Sequence, residues 1–198
     1  MTQLGRPPRY QAASGLTRRS LVLLAPVFLA ACATGQGNQT APQASDTGRV
    51  EAWLRAAKLE NVPFTQTWPN GSTGGGVLTY HAGYLHLNYT VPHSMDLEAS
   101  GTHAVFKDSQ TGSETRMGLA HNPLGVLMGN PITLSGPVTV TDIQKPSGIL
   151  QISLARTENP SQGLVTLIFR DGGRILDLYE IRILDERQRT LFIRLGGV

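Results

Sequence analysis

Apolar residues along this chain fall into three regimes. From Leu21 to Ala31 they run without a charge, broken by Pro26. Between Ala33 and Asp46 large apolar residues are absent, and from Val50 onward they recur with regular spacing. Val50, Trp53, Leu54 and Ala57 lie at i, i+3, i+4 and i+7, which predicts one amphipathic helix with Asp46 or Thr47 at its cap. After Asn61 the period changes to two, in short runs separated by Gly, Pro, Asn and Asp, the pattern of strands and hairpins. In "YLHLNYTV", Leu85, Leu87, Tyr89 and Val91 point one way while His86, Asn88 and Thr90 point the other. Leu150, Ile152 and Leu154 alternate with Gln151 and Ser153. Asp171-Gly172-Gly173 offers hairpin chemistry between "GLVTLIFR" and "RILDLYEIRIL", and Asp185 to Gln188 turns into a closing strand, "TLFIRL". One more stretch reads as helical, "LAHNPLGVLMGN", with Leu124, Leu127 and Met128 on one side, Asn122 as a cap and Pro123 near its start.

These elements predict a mainly β (α+β) fold: one antiparallel sheet of many strands, with one to three short helices that must cover a face of it. Several strands are apolar on both faces. In "LVTLIF", Leu164 and Ile168 oppose Val165, Leu167 and Phe169. Such a strand fits either a sandwich core or a sheet whose apolar surface lines a cavity, and the pattern leaves both open.

The first regime is too short to span a bilayer, which takes about 20 apolar residues. Four arginines (Arg6, Arg9, Arg18, Arg19) and no acidic residue precede it, and Ala30 and Ala31 close it, the layout of a bacterial secretory signal. Leu29-Ala30-Ala31-Cys32 resembles a lipobox, at which a signal is cut before a cysteine that receives a diacylglyceryl group. Cys32 is the one cysteine of the 198 residues and has no intramolecular disulfide partner. Thr17-Arg18-Arg19 also resembles a twin-arginine export signal, and export by that route or by the general secretory route stays open. The small and polar residues that follow form a flexible tether. The expected organisation is a signal peptide over residues 1–31, a tether over 32–46 after a lipidated Cys32, and one folded domain over 47–198.

Processing alters the charge. The whole chain is formally +3, yet loss of the leading residues leaves 13 of the 17 basic residues against all 14 acidic ones, a formal charge of −1. The basic balance belongs to the export signal, so no nucleic-acid partner is expected. The histidines His81, His86, His93, His103 and His121 show no i, i+4 helical pair, and His81 and His86 fall on opposite sides of a strand, so no metal site is expected. No G-x-S-x-G elbow or phosphate-binding loop is present, and "GSTGGG" precedes a strand and not a helix. The expectation is a protein that is not an enzyme and needs no cofactor.

The order "VEAWLRAAKLENVPFTQTW", "GGGVLTYHAGYLHLNYTVP", "NPLGVLMGNPITL" and "GLVTLIFRDGGRILDLYEIRILDERQRTLFIRL" resembles the outer-membrane lipoprotein carrier family, LolA and its relative LolB, over nearly all of residues 47–198. The resemblance implies a strongly curved, half-open antiparallel β-barrel capped by short helices around a hydrophobic cavity. It also implies a monomeric carrier that takes acylated lipoproteins from an inner-membrane ABC transporter or a soluble carrier and shelters their acyl chains toward the outer membrane. The membrane would be met through the N-terminal lipid, on the periplasmic side of the envelope.

By position, the resemblance places Leu85 and Leu87 on the cavity wall, Leu124, Leu127 and Met128 on a lid segment, and Trp53 and Leu54 on the inward face of the first helix. Each is equally an ordinary core position. His81 stands where carriers have an arginine that holds the lid by hydrogen bonds. A neutral imidazole offers one donor, so closure at His81 is expected to be weaker or pH-sensitive. Lipidation resembles LolB, but the short "VPHSM" link carries no protruding leucine loop, and the chain lacks the extra last strand of soluble LolA. The best-fitting role is an anchored LolA-like acceptor. A lipid-anchored sensor or glycolipid-binding module of the same fold is the other class left open.

Overall fold

Ser45 opens the folded chain by capping a helix: its hydroxyl accepts the Gly48 amide at 3.1 Å. In the computed structural model, which describes residues 45–196, helix α1 spans Asp46–Ala56. The cap is therefore neither Asp46 nor Thr47. Ser45 can satisfy an amide of the first turn, which frees the Asp46 carboxylate to pair with Arg49 and Lys145. The signal peptide, Cys32 and all of the tether before Ser45 lie outside the described residues. Among the described residues no helix is long and apolar enough to cross a membrane.

The strands are β1 (Lys58–Thr67), β2 (Thr73–His81), β3 (Tyr84–Val91), β4 (Met95–Ser100), β5 (His103–Asp108), β6 (Ser113–Gly118), β7 (Val138–Gln144), β8 (Ile149–Arg156), β9 (Gly163–Asp171), β10 (Leu176–Asp185) and β11 (Thr190–Leu195). They form one sheet in the order β6-β5-β4-β3-β2-β1-β11-β10-β9-β8-β7. Every adjacent pair is antiparallel. Two meanders, β1 to β6 and β7 to β11, are thus joined edge to edge where β1 pairs with β11, Phe64 opposite Leu195.

That order forces the sheet to curl. The chain leaves one edge strand, β6, and re-enters at the opposite edge, β7, through residues 119–137. In a flat sheet those edges would stand ten spacings apart, about 48 Å. Instead the Arg156 guanidinium at the end of β8 donates to the Leu119 carbonyl just past β6 at 2.9 Å. Side chains of β1, β2, β3, β9 and β10 also line one small cavity. The result is a curved, half-open antiparallel barrel with α1 and the crossing segment on its concave side.

Alternation follows the sequence except where bulges interrupt it. Leu85, Leu87 and Tyr89 are buried, but Val91 is 56 % exposed. The register slips between Gly75 and Gly76, which pair with Val91 and Tyr89, so one extra residue turns Val91 to the outside. Strand β1 begins at Lys58, directly after the helix and ahead of Asn61, with a second slip between Leu59 and Val62. Leu150, Ile152 and Leu154 are fully buried.

Strand β9 is buried on both faces for two separate reasons. Val165, Leu167 and Phe169 belong to the concave core. Ile168 lies on the convex side in register with Gln151 and Glu180. Glu180 is 2 % exposed and takes Arg194 at 2.8 Å on one oxygen and Arg182 on the other. Burial alone would raise its pKa, yet the two guanidinium bonds outweigh that and hold it below the ordinary value. Part of the two-sided apolar pattern is thus an outer-face cluster and not cavity lining.

Candidate functional site

The crossing segment, residues 119–137, covers the concave face. Its one regular element is a 3-10 helix, Pro123–Leu127, a shorter element than the helix suggested by its periodicity. Asn122 caps it, accepting the Leu124 amide at 2.9 Å. Proline at its start and glycines at 125 and 129 keep it from growing into an α-helix. Leu124, Val126, Leu127, Met128, Ile132 and Leu134 are buried.

A few polar contacts fasten this cover. The Tyr80 hydroxyl donates to the Leu127 carbonyl at 3.4 Å, and Arg55 Nε donates to the Ile132 carbonyl at 2.8 Å. Glu51 accepts the Leu134 amide at 2.8 Å and also pairs with Arg55 at 2.7 Å. Glu51 and Arg55 sit at i and i+4 on α1, so one ion pair aims both groups at the cover. Arg156 holds its start through Leu119. Burial pushes the Tyr80 phenol well above its usual pKa, so it stays a donor at physiological pH.

Beneath the cover lies an apolar interior. Trp53, Leu54, Leu85 and Leu127 meet there with Leu59, Leu78, Tyr80, Leu167, Leu178 and Ile181 around a cavity of about 10 Å³, room for about one water. The space is filled by the protein's own side chains. Trp53 meets Phe169 edge to face, with ring centres 5.0 Å apart. A second buried phenol, Tyr89, donates its hydroxyl to the buried Gln66 at 2.7 Å. Burial raises the Tyr89 pKa despite that bond.

Of the residues singled out from the sequence, Trp53, Leu54, Leu85 and Leu127 share that cavity. Leu87, Leu124 and Met128 are buried in the same core without lining it, and Met128 faces a separate groove on the far side of the cover. His81 is exposed, its ring stacked on Tyr84 at 5.0 Å, and its hydrogen bond goes to the adjacent Ala82 carbonyl. Hydrogen bonds that do join the barrel and α1 to the cover include those of Glu51, Arg55, Tyr80 and Arg156, with Thr157 and the Thr102 carbonyl holding its two ends. His81 lines a surface groove of about 390 Å³ with Arg55, Lys58 and Glu60. Leu59 and Tyr80 form a wall common to that groove and the interior cavity.

Sequence reasoning missed the fasteners. Glu51 and Arg55 carry only the signal of an exposed i, i+4 pair, and nothing local says that distant backbone groups face them. Of the strand residues of the wall, Leu167 follows alternation, whereas Leu178 and Ile181, three residues apart, share the wall only because the register slips between Leu178 and Glu180.

The fold and site thus define a class: a curled, half-open antiparallel sheet enclosing an apolar interior under a short, polar-fastened cover. No family profile matches the sequence, and no curated protein does. Among solved structures the chain is similar to a LolA superfamily protein from Nitrosomonas europaea, with 8 % identity over 76 % of this chain and 90 % of that one and a TM-score of 0.41. It is also similar to the lipoprotein LppX of Mycobacterium tuberculosis, with 8 % identity over 77 % and 95 % of the two chains and a TM-score of 0.35. At that identity and overlap the likeness says nothing of ligand or role.

Proposed function

We propose that this domain shelters acyl chains in its interior, as a lipid-anchored carrier or acceptor of bacterial lipoproteins that performs no covalent chemistry. One observation supports it above the others: an interior walled by aliphatic and aromatic side chains lies under a cover fastened by a handful of hydrogen bonds. Each methylene removed from water is worth about 0.8 kcal/mol, so an acyl chain gains strongly from such a wall. With about 10 Å³ free, the interior has no room for an acyl chain while the cover is closed. A chain enters by displacing Leu127 and the rest of the cover, and the same side chains refill the space on release. Anchoring through an acylated Cys32 would set the domain on the periplasmic face of the outer membrane, where it would receive cargo from an inner-membrane transporter or a soluble carrier.

A transfer assay tests this reading. The purified full chain is mixed with a fluorescent dipalmitoylated peptide and then offered liposomes. Saturable binding followed by delivery supports a carrier or acceptor. Binding without delivery would favour a sensor, and no binding would overturn both.

A further inference from the structure

The cover has a second side. Leu127 faces the interior, whereas its neighbours Val126 and Met128 line a groove of about 260 Å³ whose other walls include Thr102, Val138 and Arg156. This groove lies at the seam where the barrel fails to close. Thr102 follows β4 near one end of the sheet, while Val138 opens the opposite edge strand and stands directly across from Arg156.

Arg156 is an unusual occupant of such a place. Its Nη2 donates to the Leu119 carbonyl, and its Nε is buried with no hydrogen-bond partner. Among the described residues it forms no ion pair; its single hydrogen bond goes to a neutral oxygen. The side chain as a whole is half-buried, but a guanidinium nitrogen that is itself buried and unmet leaves a desolvation cost standing. Gly125 lets the guanidinium lie against the cover: a Cβ there would sit 2.3 Å from Arg156 Nη2. The chain holds an uncompensated planar cation beside an apolar wall, with open space before it.

We propose that the seam groove binds the anionic head of an acyl amphiphile, a carboxylate or a phosphate, on Arg156, with its chain running along Val126 and Met128 toward the interior. The proposal rests on the acyl-binding reading above. The guanidinium fork matches either oxyanion in a two-bond geometry, and the thioether of Met128 accommodates varied chains. A head group that takes the guanidinium draws it from Leu119, loosening the cover where it leaves β6.

The test compares, on the purified full chain, palmitate, palmitoyl lysophosphatidic acid, hexadecanol and an amidated dipalmitoylated peptide without acidic residues. At least one acidic ligand should bind about tenfold or more tightly than hexadecanol, the worth of a hydrogen-bonded charge pair. Arg156→Gln should abolish that difference, moving hexadecanol and the acidic ligands to one common affinity whatever the looser cover does to both, while Arg156→Lys keeps part of it. Should Arg156→Gln fail to fold, Thr102→Glu places a carboxylate on the exposed wall of the same groove and should give the same loss. Whichever acid binds tighter identifies the head group. The proposal is overturned if the unaltered protein does not discriminate, or if discrimination survives these changes. If hexadecanol and the peptide fail to bind at all, the acyl-binding reading falls, and this inference with it.

Discussion

Asp171 ties three parts of the chain together. Arg49 on α1 grips it with both nitrogens, at 3.0 and 2.6 Å, and the Gly173 amide donates to it at 2.8 Å. The same Arg49 reaches Asp46, which also holds Lys145 from the β7–β8 turn at 2.9 Å. The Arg49 bond, helped by Gly173, lowers the Asp171 pKa from 3.8 to about 2. A carboxylate whose folded pKa is depressed adds stability above its unfolded value, and that stability is lost as the pH falls through the folded value. The contribution is therefore full at neutral pH and disappears between about pH 4 and pH 2. Asp171→Asn should cost about 1–2 kcal/mol at pH 7, the range of a charged hydrogen-bond pair near the surface, and far less at pH 2. Thermal melts of both proteins across that interval check it, and an equal deficit at both pH values would refute the linkage.

At the scale of elements, two features govern the site: the close pass of β2 against β3 and the hold on the cover. Gly76 lies where β2 crosses β3 so closely that a Cβ would meet the Asn88 carbonyl oxygen at 1.9 Å and Tyr89 Cα at 2.7 Å. Both obstacles are backbone, so neither can step aside as a flexible side chain would. Gly76→Ala should destabilise the domain by about 2 kcal/mol or more, read by denaturant unfolding. Glu51 and Arg55, by contrast, act on the cover and little on the barrel. Arg55→Ala should speed amide exchange at Ile132 and Leu134 and quicken uptake of an acyl probe, with a small loss of global stability. Equal exchange in both proteins would remove Arg55 from the fastening.

The same two features mark the limit of what sequence conveys. The period of β3 was legible because its burial repeats every second residue as far as Tyr89, whereas β9, buried on both faces, was legible only as an apolar run. Val91 escaped because an extra residue of β3, Thr90, opposite Gly75 and Gly76, resets that count, and a bulge has no signature in the apolar pattern alone. Of the seven residues that the resemblance grouped, Trp53, Leu54, Leu85, Leu87, Leu124, Leu127 and Met128, four line one cavity: Trp53, Leu54, Leu85 and Leu127. Arg55 and Arg156 were not legible, since their partners are carbonyls brought near only when a sheet of eleven strands curls upon itself.

For the whole molecule, curvature links topology to use. Opposite sheet edges must be joined by one segment, and that segment is what closes the interior. If the domain shelters acyl chains as proposed, loading would part the cover from the barrel and leave the β1–β11 pairing at the centre of the sheet intact. Photocrosslinking side chains at Leu87 and Leu127 should both capture an acylated peptide, because one lies on the wall strand β3 and the other on the cover. The same group at Val91, exposed on the outside of β3 just beyond the bulge, should capture none. Capture at Leu127 without Leu87 would mean that chains stay in the mouth and never reach the wall. Capture at Val91 as strongly as at Leu127 would mean that the outer surface takes up acyl chains nonspecifically, and the concave interior would lose its claim as the binding site.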